Sequence, residues 1–387
     1  MAEIVEKVCV QRNATGSSTD EHPVEYYLHE RYNQPGKTRG LLKAYYALRP
    51  LLPRSLQLAM RRQYAKKQAQ VKFPAWPIEP ILVHRANREM KARIEQSEEK
   101  RIPIINFWPR SFRAAVTLTH DIEGQIGLRN ILRVRELEKK YGVVSSWNFV
   151  PERYPFDKKI FKELTDQGCE IGLHGLYHDG KEFSSRQIFE ERLPTMNRYL
   201  KKWGAVGFRS PATHRNPDWM PEIAAEYDSS FPDTDPFEPQ SGGCCSVFPF
   251  FLGDMVELPI TLVQDHTLIE ILRKKDIELW KQKSRWVIEN HGLVNIIIHP
   301  DYMLTETNLQ YYDQFLAFIM SQENLWHALP NDVARWWRDR SKSEVITTDG
   351  LQPTIKGAAS DRGCITWAEL EGGEVKYTCT IVQCNET

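Results

Sequence analysis

Two histidines four residues apart, His174 and His178, are the residues of this sequence best placed to share a cation. If the chain turns helically behind them, both imidazoles face one way and can bind one divalent metal. Asp121 and Glu123, two acids separated by one residue, sit just after an apolar run. One of the pair can complete a two-histidine, one-carboxylate site. The other can take a proton from an attacking water. Arg209 is a cation able to hold such a base ionised and oriented. His299, after another apolar run, can protonate a departing nitrogen or oxygen. Taken singly, each group also fits a plainer role as a surface ion pair or a satisfied core histidine. Taken together they suit metal-assisted hydrolysis.

These groups need a scaffold that brings four distant stretches to one place. Each follows a short apolar run of strand length: residues 114–119 before His120-Asp121-Ile122-Glu123, 170–173 before His174, 206–208 before Arg209-Ser210-Pro211, and 293–298 before His299-Pro300-Asp301. Helical spacing fills the intervals, at 128–141, 158–167, 184–203, 217–226, 275–290 and 309–321. Strands alternating with helices predict parallel strands with helical crossovers. About seven such units predict an α/β barrel, in which active groups gather at the carboxyl ends of the strands.

The chain has 387 residues, 51 basic against 51 acidic, with 41% apolar and 26% charged residues. That composition is globular and excludes disordered, collagen-like and coiled-coil classes. The zero formal charge argues against a nucleic-acid binder. No apolar window is long enough to cross a bilayer, and the first thirty residues lack the apolar core of a signal peptide. Seven scattered cysteines without a CxxC pair read as free thiols, so the expected compartment is the cytoplasm. Four regions are expected: a loosely ordered 1–36, a basic helical arm at 37–100, the barrel at 101–340 and a small β extension at 341–387. Residues 31–78 contain eleven Lys and Arg and no acid. Two amphipathic helices are expected there, at 41–48 and 56–70. Their basic face suits an anionic partner, a lipid headgroup or a phosphate-linked carrier, or is simply solvated.

The order and spacing of these motifs resemble the NodB-like polysaccharide deacetylases, carbohydrate esterase family 4, over roughly residues 110–338. The resemblance implies a distorted (β/α)7 barrel and a divalent cation, with Zn2+ the first expectation. By that match Asp121 is the catalytic base, and Glu123, His174 and His178 are the metal ligands. Arg209 and Pro211 form the Arg-x-Pro element on one wall of the groove, and His299 is the catalytic acid. Thr213, His214 and Arg215 follow that element and either line the groove or form a solvated loop. The family's acidic-aromatic motif is not cleanly present. Within 227–235, Asp235 and Asp228 are the candidates to orient His299, and Asp235 also to meet substrate. The family usually has adjacent acids, whereas here Ile122 intervenes. His120 is an added polar group beside the base, either supporting it or contacting substrate. The implied activity is removal of acetyl or similar acyl groups from an N-acylated sugar or glycan, a hydrolysis of a non-peptide C–N bond. Two other readings stay open: a same-fold amidohydrolase acting on a small ureide or imide, some of which need no metal, and a glycan-binding protein without turnover.

Overall fold

A computed structural model describes residues 22–33, 53–348 and 351–379. The expected helix at 41–48 lies outside the described residues. Chain order begins with α1 (Val24–Leu28), α2 (Arg54–Gln68) and α3 (Ile81–Gln96), then β1 (Arg101–Ile105). The barrel follows: β2 (Ala114–Ile122), α4 (Gln125–Lys139), β3 (Ser146–Phe149), α5 (Lys159–Thr165), β4 (Glu170–His174), α6 (Arg186–Trp203), β5 (Gly207–Arg209) and β6 (Tyr227–Asp228). A hairpin of β7 (Phe250–Leu252) and β8 (Met255–Glu257) leads to a π-helical turn at His266–Ile271. After it come α7 (Glu278–Glu289), β9 (Leu293–Ile298), α8 (Glu306–Met320), β10 (Leu325–His327) and α9 (Pro330–Ser341).

The order β10-β2-β3-β4-β5-β6-β8 is parallel throughout, with β9 on the other edge of β2. Strands covered by helices on one face and a packed interior on the other must be apolar almost continuously. Every residue of β2 and of β9 is buried. The curled sheet is a distorted (β/α) barrel. Its gap between β8 and β9 is closed by extended chain: Leu262 N–H donates to Asn295 O, and the Asn295 side chain reaches the Leu258 and Pro259 carbonyls.

Local signals explain most boundaries. Ser185 caps α6 by accepting from Ile188 N–H, and Gly204 ends it in the left-handed region at φ 64°. The expected helix at 217–226 does not form. Pro217 and Pro221 remove amide donors within it, and only a 3-10 turn at Met220–Glu222 survives.

The remaining strands, β11 (Ser343–Ile346), β12 (Thr354–Gly357), β13 (Ile365–Glu371) and β14 (Glu374–Cys379), lie in two small antiparallel groups. β1 pairs with β13, which stitches the segment before the barrel to the one after it. Cys244 and Cys245 are buried, and burial pushes both thiols up, away from reactive thiolate.

Candidate active site

Strand parity sets the site. Thr119 and Asp121 project from β2 into the barrel, and Glu123 continues that face just past its end. In the parallel register Asp121 sits opposite Asn148, and Asn148 opposite Gly172. A side chain at Gly172 would overlap Asn148 Oδ1, so the glycine leaves the room from which Asn148 Nδ2 donates to Asp121 Oδ1 at 2.8 Å. Arg209 Nη1 lies 3.6 Å from Asp121 Oδ2, while its Nη2 donates to the hydroxyls of Thr119 and Ser229. Burial alone would raise the Asp121 carboxyl, but the charges of His174, Arg209 and His299 bring it down to about 2.

His174 ends β4, and its Nδ1 donates to Arg209 O at 3.1 Å, which leaves Nε2 as the free lone pair. Burial lowers this imidazole to about 4, so it is neutral at physiological pH. His178 arrives by a different path from the helical turn expected. Residues 175–180 form no helix. Gly175 and His178 both take left-handed backbone, at φ 58° and 56°, and fold the second imidazole back over the first. The ring centroids are 5.0 Å apart. Gly175 is required here, because a Cβ would stand 2.5 Å from Pro211 Cδ.

Glu123 Oε1 lies 2.9 Å from His178 Nε2 without hydrogen-bond alignment. Its backbone N–H donates to Asp301 Oδ2, and Tyr302 donates to its Oε2 at 3.3 Å. The imidazoles around Glu123 hold its carboxyl well below the usual range against the upward push of burial. Ligand atoms of Glu123, His174 and His178 all lie within 4.8 Å of one another, and Nε2 of both histidines is buried with no hydrogen-bond partner. Buried polar atoms normally have partners. Two orphaned imidazole nitrogens facing a carboxylate are a donor set that fits a divalent cation.

His299 stands across the mouth, its Nε2 3.9 Å from Glu123 Oε1. Burial would lower it, but the Asp265 carboxylate, with Glu123 and Asp121, raises it to about 10, so it carries its proton at neutral pH.

Several expected residues lie elsewhere. The partner of His299 is Asp265, at 2.6 Å, rather than Asp235 or Asp228. Asp235 accepts from Phe237 N–H, and its backbone bridges to Gly242. Asp228 accepts from the Ser230 hydroxyl beside Glu257. His120 points out of the barrel: it is fully buried, stacks on Trp147, and turns its ring nitrogens to Glu138 Oε1 and Ile298 O. That placement removes it from substrate, as the alternation along β2 requires once Asp121 faces inward. Pro211 packs beneath the histidine turn, His214 is half-buried beside Gly180, and Arg215 is held by Glu30. Asp265, Asn148, Asp301 and Tyr302 were not assigned roles from sequence. Only Asp301, in His299-Pro300-Asp301, had a signal, its position at a strand end.

No family model matches this chain, and no curated protein matches it by sequence. Among solved structures it is similar to Puue allantoinase, with TM-score 0.50 and 15% identity over 60% of this chain and 92% of that one. It is also similar to a protein of Pseudomonas aeruginosa PAO1 described as a probable polysaccharide deacetylase (TM-score 0.49, 16% identity, 60% and 93% covered). A third is the peptidoglycan deacetylase PdaC of Bacillus subtilis (TM-score 0.36, 14% identity, 58% and 93% covered). The likeness to the allantoinase, at 15% identity, is one of fold alone, a distorted (β/α) barrel. Such a barrel brings the carboxyl ends of its strands to one mouth.

Proposed function

We propose that the protein is a metal-dependent hydrolase that removes an acetyl or similar acyl group from the nitrogen of a sugar or glycan. The observation that carries this reading is the pair of unpartnered imidazole nitrogens on His174 and His178 facing Glu123, with Asp121 and His299 flanking them. Glu123, His174 and His178 would hold the cation. When bound, it would polarise the acyl carbonyl and acidify a water; zinc is the first choice for this donor set. Asp121, ionised and fixed by Asn148 and Arg209, accepts the proton of the attacking water. His299 donates its proton to the departing nitrogen, so water and amide become carboxylic acid and amine. Asp265 holds that ring through Nδ1 and leaves Nε2 turned to the mouth.

The test is acetate release from N-acetylated sugars by purified protein with Zn2+. His174→Ala should lose both the bound metal and the activity. Acetate release unchanged in that variant would remove the mechanism. A second reading, hydrolysis of a small ureide, draws on the likeness to an allantoinase. Metal-stripped protein that still hydrolyses ureides would favour it.

A further inference from the structure

Among the described residues, the apolar contacts of helix α2 lie on one face. Ala65 is buried with Phe237 and Ile271, Leu58 lies against that cluster, and Arg62 donates to Glu270 O. The opposite face carries Leu56, Met60 and Tyr64, four residues apart and so on one stripe, exposed by 46%, 44% and 39%. Val71, just past the helix, is 45% exposed. These are four of the ten large apolar side chains exposed among the described residues. Lys66, Lys67 and Lys72 are exposed in the same segment, and no acidic residue occurs between Arg31 and Ile78.

The location gives the patch a meaning. α2 packs on the π-helical turn, whose N-cap Asp265 bonds His299, and Gln68 reaches Glu238 O beside it. The patch therefore lies at the mouth end of the barrel. Three more of the ten exposed apolar residues follow strand ends there: Ile126 after β2, Tyr177 after β4 and Leu304 after β9.

We propose that α2 is an interfacial helix that docks the mouth end of this protein on an anionic membrane surface. An exposed apolar stripe alone would suit several partners. A stripe beside Lys66, Lys67 and Lys72, in a segment of eleven basic residues without an acid, is complementary to anionic headgroups over a shallow apolar layer. Such docking would bring substrates carried on lipid to the barrel mouth without a spanning helix.

The test is flotation of the full chain with vesicles of phosphatidylcholine alone, or with about one third phosphatidylglycerol. The vesicles carry no glycan, so the outcome is independent of any hydrolysis. Binding is expected only to the anionic vesicles, and should weaken in about 0.5 M salt. Leu56→Glu with Met60→Glu should lower partitioning about tenfold or more, and Lys66→Glu about fivefold. Both changes are at exposed positions, so an unchanged melting temperature checks that the variants are folded. No flotation with anionic vesicles, equal binding to neutral vesicles, or unchanged binding by the variants would each overturn the proposal. So would capture by polyglutamate without vesicle binding, which would point to an acidic protein partner.

Discussion

Asp265 grips His299 at two points: Oδ2 accepts the backbone N–H at 2.8 Å and Oδ1 accepts from ring Nδ1 at 2.6 Å. One carboxylate therefore fixes both the place of the residue and the direction of its ring. A proton donor must be held so that its free nitrogen meets the leaving group, and it must stay protonated until then.

Asp265→Asn keeps the shape but removes the charge that raises His299 to about 10. The alkaline limb of kcat/KM should move to lower pH by at least about one unit, and kcat should fall roughly 10- to 100-fold. A pH profile of acetate release decides it; an alkaline limb in its wild-type position would refute the pairing.

Gly127 in α4 is tied to Glu123 through Asp301, which accepts from both backbone N–H groups at 3.0 and 2.9 Å. A Cβ at Gly127 would overlap the Asp301 carboxylate. Gly→Ala in a helix normally stabilises by up to about 1 kcal/mol. Here Gly127→Ala should instead displace Asp301, loosen Glu123 and weaken zinc binding about tenfold. Competition with a chelator measures it. Unchanged affinity with a gain in stability would show that Asp301 does not support the ligand.

His120→Phe preserves the stack on Trp147 but deletes the contacts to Glu138 and Ile298. It should cost about 1–3 kcal/mol of stability in chemical denaturation and leave metal stoichiometry intact. A raised KM with unchanged stability would instead return His120 to the groove.

Glu170 lies far from the mouth, at the start of β4, where it accepts from the Tyr227 hydroxyl and from Asn331 N–H. Burial raises its carboxyl from 4.5 to about 7, partly opposed by those bonds. The folded chain thus holds this proton more tightly than the unfolded one. Its stabilising contribution is complete below about pH 4.5 and is lost as pH rises through 7. The change amounts to about 3 kcal/mol. Glu170→Gln should flatten that part of the stability–pH curve, and parallel wild-type and variant curves would contradict it.

Much of the site was legible in the residues themselves. Apolar runs of strand length ending in His, Asp, Glu and Arg implied an α/β barrel with its chemistry at one end, because parallel strands under helices must be apolar and their carboxyl ends must converge. His120 was expected to support the base or contact substrate; the structure turns it to the opposite face of β2 from Asp121, against Trp147 and Glu138. What only the tertiary structure decided were the partners. The helical approach expected for His174 and His178 became a left-handed turn at Gly175 and His178, because Pro211 from the next strand end occupies the space beside it. Asp265 reaches His299 from 34 residues away through the turn it caps, and Asn148 meets Asp121 because the strand register sets Gly172 beside it. Such pairings depend on register and on loop paths. Local residue preferences do not encode these, because the free energy that selects them comes from contacts between distant segments.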